Sequence, residues 1–598
     1  MNRFSALLIL LAACGDSVEH PSPNPPPSWG VPISGGTMLI TRDGKFAVVA
    51  DPDRDRIVSV DLGKHAVVAE IQLNAGDEPG RLIEDGAGRI HVALRHGGAL
   101  FTLDGATATS GLRRVACSEP RGLAWQASSD LVHVACAGGE LVSFASAAGE
   151  AVRDLRLERD LRDVIVSGDV LRVSRFRTAE LLTIDATGTI IDRASSPIVK
   201  RTVQSGSSFP NDCPNCGGGV SPEAPQIVDA LPAVAWRAVP LADGAVLVSH
   251  QRQVKARMKT EPGGYGPGCG GGPVEHAVTI MRAGQPPFAV QRLISGALPV
   301  DVAVSPRGDL VAFAMAGTHD IHQVVAASLT LPDREDEDCG GFRDSTPLIN
   351  DDLGAPTSIA YLPDGRLAVY YPESPAIVIH DGLASEAILL PGGFGYDSGR
   401  ALFHTATGSG LACASCHPEG RDDGLVWEFE GIGFRRTQNL AGGILARAPY
   451  HWNGDMKDFD MLMHDVFAVR MSGGEPSRSQ KLSLGPWLER IPAPKGVVVD
   501  AAAAERGRAL FDSVEVGCAS CHNGALLTNN QLFDVGTGGR LKVPSLVGVG
   551  ARAPFMHDGC AATLSDRFGA CGGGDAHGQT SQLTPAQLAD LTAYLESL

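Results

Sequence analysis

Two pentapeptides in the C-terminal third of the chain combine residue types that can hold a cofactor covalently. Residues 413–417 read CASCH, and residues 518–522 read CASCH again. Two thiols three positions apart can bond the two vinyl groups of one porphyrin, and the adjacent histidine then lies beneath the iron. A zinc site or a disulfide at each cysteine pair is the alternative, but it leaves the histidines unexplained. We predict two covalent haem c groups held by Cys413, Cys416, His417, Cys518, Cys521 and His522, with His417 and His522 as iron ligands.

The residues around the two pentapeptides repeat as well. GRALF at 399–403 precedes the first, and GRALF at 507–511 precedes the second. ARAPYHWNG at 446–454 matches ARAPFMHDG at 551–559. This repeat predicts two mainly α class I cytochrome c domains, whose bounds we place at 394–499 and 500–598.

These segments, together with KVPSL at 542–546, make the region resemble the di-haem cytochrome c peroxidase family that includes MauG. The resemblance implies that one haem receives peroxide while the other holds or relays an electron. It assigns Trp452 a place between the haems, against the alternative of a buried core tryptophan. It further implies a small redox protein or another electron donor as partner, and it leaves room for a Ca²⁺ ion.

The sixth iron ligands decide the chemistry, because a six-coordinate haem relays electrons while an open iron can bind peroxide. Thr584, Pro585 and Gln587 predict the start of an exit helix, and class I cytochromes supply the sixth ligand just before this helix. His577 lies there, so we predict it as ligand of the second haem, with Met556 or a surface role for His577 as alternatives.

For the first haem the corresponding loop offers several methionines, of which we prefer Met471, followed by Ser-Gly-Gly. A core methionine is the alternative. The chain departs here from the family, because Phe434 follows the Gly-Ile-Gly at 431–433, where such peroxidases often have a distal histidine. No clear distal glutamate precedes the Met471 loop either.

A different repeat occupies residues 35–393. An apolar strand, a turn of the Asp-Gly type and a second β-branched strand recur seven times, and the first three intervals are 43, 41 and 41 residues. That length fits one four-stranded blade, so we predict an all-β seven-bladed propeller that resembles YVTN/WD-like propellers. An array of β-sandwiches is the alternative, and the ligand of the propeller is not indicated. The copies begin near Met38, Arg81, Gly122, Asp163, Arg237, Asp301 and Ser358.

The N-terminus predicts export. Arg3 precedes an apolar run that ends in LAAC at 11–14, which is typical of a lipoprotein signal peptide over 1–13 and a lipid-modified Cys14. A plain signal peptide is the alternative. A proline-rich tether over 14–34 follows. We expect an exported lipoprotein on the periplasmic face of the outer membrane or at the cell surface, bound to the membrane by its lipid only.

Composition adds two constraints. The net charge of -18 includes no basic stretch for nucleic acid. Of 13 cysteines, Cys14 and the four of the pentapeptides leave eight, which can pair in an oxidising compartment. The obvious local pairs are Cys117 with Cys136 and Cys560 with Cys571. The pairing stays open for Cys213, Cys216, Cys269 and Cys339.

The sequence thus favours a peroxidase-like oxidoreductase with two covalent haems. A pure electron carrier, whose propeller docks a redox partner, is the main alternative. A propeller adhesin or sensor that merely carries haems is the third class considered.

Overall fold

The computed structural model describes residues 31–203, 226–266, 272–291, 296–334, 349–382 and 384–598. The predicted signal peptide and most of the tether lie outside these residues, as do Cys14, Cys213, Cys216, Cys269 and Cys339. Within the described ranges, no helix combines the length and apolar character that crossing a membrane requires.

Seven antiparallel sheets make up the N-terminal region, and each consists of strands that follow one another in sequence. The first four sheets have four strands each. Their strands are Met38–Ile40, Phe46–Asp51, Arg56–Asp61 and Ala66–Gln72; Pro79–Glu84, Ile90–Leu94, Ala99–Leu103 and Gly111–Val115; Pro120–Gln126, Leu131–Cys136, Glu140–Ala145 and Ala151–Arg156; Leu161–Ser167, Val170–Arg175, Glu180–Ile184 and Ile190–Ser195.

The last three sheets differ from one another in their number of described strands. The fifth has five described strands, the sixth three and the seventh four. Their strands are Val199–Val203, Gln226–Pro240, Val246–Val254, Val274–Met281 and Phe288–Ala289; Pro299–Val304, Leu310–Met315 and Asp320–Val325; Ser358–Tyr361, Leu367–Tyr371, Ala376–Asp381 and Ala384–Leu389.

The seven sheets close into a ring. The strand that opens each predicted copy contacts its counterpart in the next sheet, and Ser358–Tyr361 of the last sheet contacts Met38–Ile40 of the first. The backbone N–H of Met38 also donates to Ser358 Oγ at 3.1 Å. The prediction of a seven-bladed β-propeller is therefore confirmed, and the sheets are its blades.

The residues of the turns explain why the blades could be predicted from the sequence. In the first blade, Asp43 accepts hydrogen bonds from Thr41 Oγ1 and from the N–H of Lys45, and Gly44 takes a φ of 70°. Glycine adopts this left-handed conformation at little cost, so the chain reverses there between two apolar strands. In the fifth blade the strand begins at Gln226, well before the predicted start near Arg237.

The C-terminal region is helical, with two small hairpins. The hairpins pair Val426–Phe429 with Gly433–Arg436, and Leu532–Asp534 with Arg540–Lys542. The helices are α1 Ser398–His404, α2 Cys413–Cys416, α3 Phe459–Leu462, a π-helix over Met463–Arg470, α4 Arg478–Glu489, α5 Ala501–Asp512 and α6 Pro585–Ser597, accompanied by short 3-10 turns.

Two matching helix pairs organise this region. Helix α1 packs on α4, and α5 packs on α6. A Cβ at Gly399 would lie 2.3 Å from the Leu484 nitrogen, and one at Gly507 would lie 2.0 Å from the Asp590 carbonyl oxygen. Both crossings therefore require the glycine of the repeated GRALF segment. The predicted capping box at Thr584 and Gln587 is present, and α4 begins with an equivalent box.

The two local disulfides are confirmed, joining Cys117 to Cys136 and Cys560 to Cys571. Among described residues, the only cluster of three potential metal ligands is Cys117, Cys136 and Glu140. Because its two sulfurs are bonded to each other, this cluster is not a metal site. The Ca²⁺ ion for which the resemblance leaves room stays untested.

Candidate functional site

Both CASCH segments open into one cavity of about 540 Å³. Its lining includes Cys413, Cys416 and His417 from the first segment, and Cys518, Cys521 and His522 from the second. Met471, Trp452, Met556 and His577 also line it. The fold thus collects in one cavity every residue to which the sequence assigned a role at the haems.

The two proximal histidines are held in the same way. His417 Nδ1 lies 3.1 Å from the carbonyl oxygen of Arg421, and His522 Nδ1 lies 3.2 Å from that of Leu527. When Nδ1 carries the proton and donates it to these carbonyl oxygens, Nε2 keeps its lone pair free to bind a metal. Burial lowers the pKa of both rings, that of His522 to about 4, which favours the neutral, ligating form.

His577 faces His522 across the cavity. Their ring centres lie 6.3 Å apart with an angle of 37° between the ring planes. A metal bonded to one nitrogen of each ring would lie about 2 Å from each nitrogen. When the distance from each nitrogen to its own ring centre is added on both sides, the ring centres would be separated by about the observed distance. His577 Nδ1 lies 3.2 Å from the Gly572 carbonyl oxygen, so this ring too can present its other nitrogen. Burial, with the charges of Arg567 and His522, lowers its pKa to about 3.

The first segment has a different environment. Among described residues, no histidine ring contacts His417 as His577 contacts His522; His451 lies near enough to add to the lowering of the His417 pKa that burial causes, but its Nδ1 pairs with Asp455 at 3.1 Å. Met471 is buried, lines the cavity and follows directly after the π-helix Met463–Arg470. It also precedes α4, just as His577 precedes α6. Single π-helical turns inside helices often occur at functional sites, because they displace the residues that follow.

Trp452 lies where the two halves of the cavity meet. Its Nε1 donates to the Arg436 carbonyl oxygen at 2.8 Å, its own carbonyl accepts from the N–H of Lys542 at 2.8 Å, and its ring centre lies 6.3 Å from that of His557. It therefore contacts both repeats of the C-terminal region. Phe434, in contrast, is exposed on a hairpin.

The cavity carries an excess of buried cations that the sequence analysis missed. Arg436, Arg447, Arg552 and Lys542 all line it and are buried or half-buried. Within the described part of the chain, the Nε atoms of the three arginines have no hydrogen-bond partner. Burial, followed by the charge of Arg447, lowers the pKa of Lys542 to about 8. Arg436 already pairs with Asp422 at 2.7 Å, whereas among described residues the other three cations bond to backbone carbonyl oxygens and still need anionic partners.

A haem fits this set of donors. Its two propionates are carboxylates, which pair well with arginine. Together with two thiols and a half-buried histidine at each segment, these cations are what a cavity for such groups requires. Arg447 and Arg552 occupy equivalent positions in the repeated ARAP segments, and that repetition was the signal by which the sequence could have revealed them.

The first CASCH segment is also locked into the propeller. Glu419, two residues after His417, is buried and pairs with Arg121 Nη1 at 2.5 Å and Arg162 Nη1 at 2.6 Å. Arg95 Nη2 lies 3.2 Å away. Burial alone would raise the pKa of Glu419, but these arginines hold it well below its usual range. The contact joins parts of the chain that are more than 250 residues apart, which no local pattern predicts.

Residues 504–598 match the sequence family described as Cytochrome c. The C-terminal region carries a cytochrome c domain. This domain contains the second segment, His577 and helix α6, so the expected kind of cofactor, a covalent haem c with its iron, is supported. The number of haems, and a second domain of this kind, belong to the proposal below.

Two relatives carry the names of enzymes. The chain is 28% identical over 258 residues to the gamma subunit of hydrazine synthase from Kuenenia stuttgartiensis, an alignment that covers 31% of this chain and 72% of that subunit. It is 28% identical over 168 residues to a cytochrome-c peroxidase of Denitromonas iodatirespirans, covering 18% of this chain and 44% of the peroxidase. The chain thus spans less than half of that peroxidase.

A solved structure of Kuenenia stuttgartiensis hydrazine synthase aligns with 59% of this chain and 96% of its own, at a TM-score of 0.45 and 15% identity. The cytochrome c domain, together with the sequence similarity to a hydrazine synthase subunit and a cytochrome-c peroxidase, supports the class of a haem oxidoreductase. The narrower resemblance to the family that includes MauG rests only on the sequence motifs described above.

Proposed function

We propose that the chain holds two covalent haem c groups and acts as a peroxidase-like oxidoreductase. Cys413, Cys416 and His417 would hold the first haem, and Cys518, Cys521 and His522 the second. When bound, the haems would supply one-electron transfer and, at an open iron, a site for an oxidant such as peroxide. The single observation that carries the proposal is the difference between the two sites: His577 is in ring contact with His522, whereas the histidine near His417 in the same cavity, His451, pairs with Asp455 and makes no described ring contact with it.

The roles of the residues follow from this difference. His577 would close the second site, whose haem would then store or relay an electron. Met471 would be at most a weak ligand at the first site, where an oxidant could take its place. Trp452 contacts both halves of the cavity and provides an aromatic path between the sites. Reduction of H2O2 to two waters takes two electrons and two protons, and the electrons come from a small redox protein or another donor.

The runner-up is an electron carrier without catalysis, whose propeller docks a redox partner. The exposed Phe434 favours it, because that position offers no distal histidine to the cavity. We prefer the enzyme because the buried cations, Trp452 and the unequal sites occur together.

We further propose that the protein is an exported lipoprotein on the periplasmic face of the outer membrane or at the cell surface. The two disulfides support an oxidising compartment, and haem c attachment also takes place outside the cytoplasm. Lipid attached to Cys14 is its expected membrane anchor. Mass spectrometry of the purified N-terminus tests this, and an unmodified start at another residue would contradict the anchor.

The haem content is the first test of the proposed function. A haem assay normalised to protein should give two haems per chain, and acid-acetone should extract neither. Cys413→Ala and Cys521→Ala should each lose or loosen one haem only, while Cys560→Ala, which removes a disulfide thiol, should keep both. A single haem per chain, or haem that acid-acetone removes, would contradict the proposal.

The activity is the second test. The loaded protein should consume H2O2 with an artificial electron donor, and double substitution of Cys413 and Cys416 by Ala should abolish this turnover while the second haem stays in place. Turnover that is unaffected by loss of the first haem would place the reacting site elsewhere. No turnover at all would favour the carrier.

A further inference from the structure

One loop of the propeller reaches the cavity. Residues 255–266, here called the propeller loop, follow the strand Val246–Val254 of the fifth blade. The N–H of Met258 donates to the Glu428 carbonyl at 2.8 Å, and the N–H of Glu430 donates to the Met258 carbonyl at 2.9 Å. Met258 and Tyr265 both line the cavity, so the propeller forms part of its wall.

The tip of the propeller loop is bonded to the end of the π-helix. The N–H of Gly263 donates to the Val469 carbonyl at 2.8 Å, and the N–H of Tyr265 donates to the Arg470 carbonyl at 3.0 Å. Arg470 Nη1 in turn donates to the Tyr265 hydroxyl at 3.3 Å, and its guanidinium carbon lies 6.0 Å from the centre of the tyrosine ring. The next residue in the chain is Met471.

The propeller loop packs closely against the C-terminal region on both sides of this contact. Gly263 takes a φ of 72°, and a Cβ there would lie 3.3 Å from Ser472 Oγ. A Cβ at Gly266 would lie 2.4 Å from the Cβ of Ser409. The ring of Tyr265 also lies 5.9 Å from that of Phe429, centre to centre. The propeller loop is therefore fitted to the segment that presents Met471, and not merely adjacent to it.

We propose that Tyr265 is a positioning residue for the first haem: through Arg470 it holds Met471 toward the iron and so limits how easily an external molecule reaches that iron. The inference rests on the proposed function, in which Met471 is the weak sixth ligand. The propeller would then have a role at the redox centre in addition to any role in docking a partner. Release of the propeller loop would let Met471 withdraw and open the first site.

The test compares full-length, haem-loaded variants. We expect Tyr265→Ala to raise the high-spin fraction of the first ferric haem in electron paramagnetic resonance and to speed CO binding to the reduced protein several-fold. Tyr265→Phe should lie between, because it keeps the ring but loses the hydroxyl that Arg470 binds. Tyr396→Ala, at an exposed tyrosine, is the matched control and should equal the wild type. The second haem should be unchanged in all three.

A wild-type spin state and CO binding rate in Tyr265→Ala would overturn the inference. If that variant does not fold, Gly263→Ala disturbs the same contact through its backbone conformation and takes its place, with the same expected result. Met471→Ala distinguishes the ligand role of Met471 from the positioning role of Tyr265. If it leaves the first haem unchanged, the ligand assigned in the proposed function is wrong; if it opens the iron while neither loop variant does, only the inference fails.

Discussion

At the residue scale, the difference between the two sites comes from what each chain segment places opposite its proximal histidine. The proximal rings themselves are held alike, each by a backbone carbonyl a few residues downstream. The segment before α6 supplies His577, which is in ring contact with His522, and the segment before α4 supplies Met471, which we propose as the ligand at the first site. Because histidine as sixth ligand lowers the potential of a haem relative to methionine, the two sites should differ in potential.

His577→Gly should convert the second haem to high spin. The substitution removes the only described ring that faces His522, and glycine offers no side chain in its place. Electron paramagnetic resonance of the ferric protein checks this. His464→Gly removes an exposed histidine and is the matched control. If the second haem of His577→Gly stays low spin, another residue such as Met556 is its ligand.

Trp452→Phe should slow electron passage between the haems while both haems are retained. The smaller ring leaves a longer gap between the two halves of the cavity and loses the hydrogen bond to the Arg436 carbonyl. Stopped-flow reduction, followed at the spectrum of each haem, measures the rate. Trp487→Phe, in the core beneath α1, is the control. Equal rates in wild type and Trp452→Phe would show that the residue is structural.

At the element scale, much of the fold could be read from the sequence because its signals are local. Aspartate and glycine turns identify the blades, and the repeated GRALF segments identify α1 and α5. The extra strand of the fifth blade, Val199–Val203, was missed because no short turn joins it to its partner, since Val203 pairs with Gln226. The propeller loop was missed because Tyr265 meets Arg470, 205 residues further along the chain, only after the whole propeller has formed.

The crossing of α5 and α6 provides a prediction at this scale. Gly507→Ala introduces a Cβ against the Asp590 carbonyl, and overpacking of this kind costs about 1–3 kcal/mol. We expect the second haem to lose its low-spin spectrum at a lower temperature than in the wild type. Ala502→Ser, on the exposed side of α5, should leave that temperature nearly unchanged. An unchanged transition in Gly507→Ala would mean that the helices do not approach this closely.

At the scale of the whole molecule, the propeller and the C-terminal region share one core. Phe176, Trp236 and Val300 of the propeller belong to the same buried apolar cluster as Phe403 and Trp487. Glu419 adds a charged contact between the two regions, directly after the first haem segment. The sequence predicted both regions but not this contact, because buried ion pairs across the chain leave no periodic signal.

Glu419→Gln should weaken the attachment of the first haem segment to the propeller. It removes a carboxylate shared by Arg95, Arg121 and Arg162, and breaking a buried ion pair costs about 3–5 kcal/mol. Limited proteolysis and thermal unfolding should both detect the loss. Glu428→Gln breaks the exposed pair with Arg257 and should cost at most about 1 kcal/mol. Equal effects of the two substitutions would contradict the role of Glu419.

The central claim is that one chain holds two haems whose irons are unequally coordinated. Electron paramagnetic resonance of the wild-type protein in the oxidised and the half-reduced state tests it most directly. We expect one low-spin haem with two histidine ligands and one haem that is high spin or weakly held by methionine, and half-reduction should place the electron on the latter only. Two low-spin irons in every redox state, in a protein that consumes no peroxide, would contradict it.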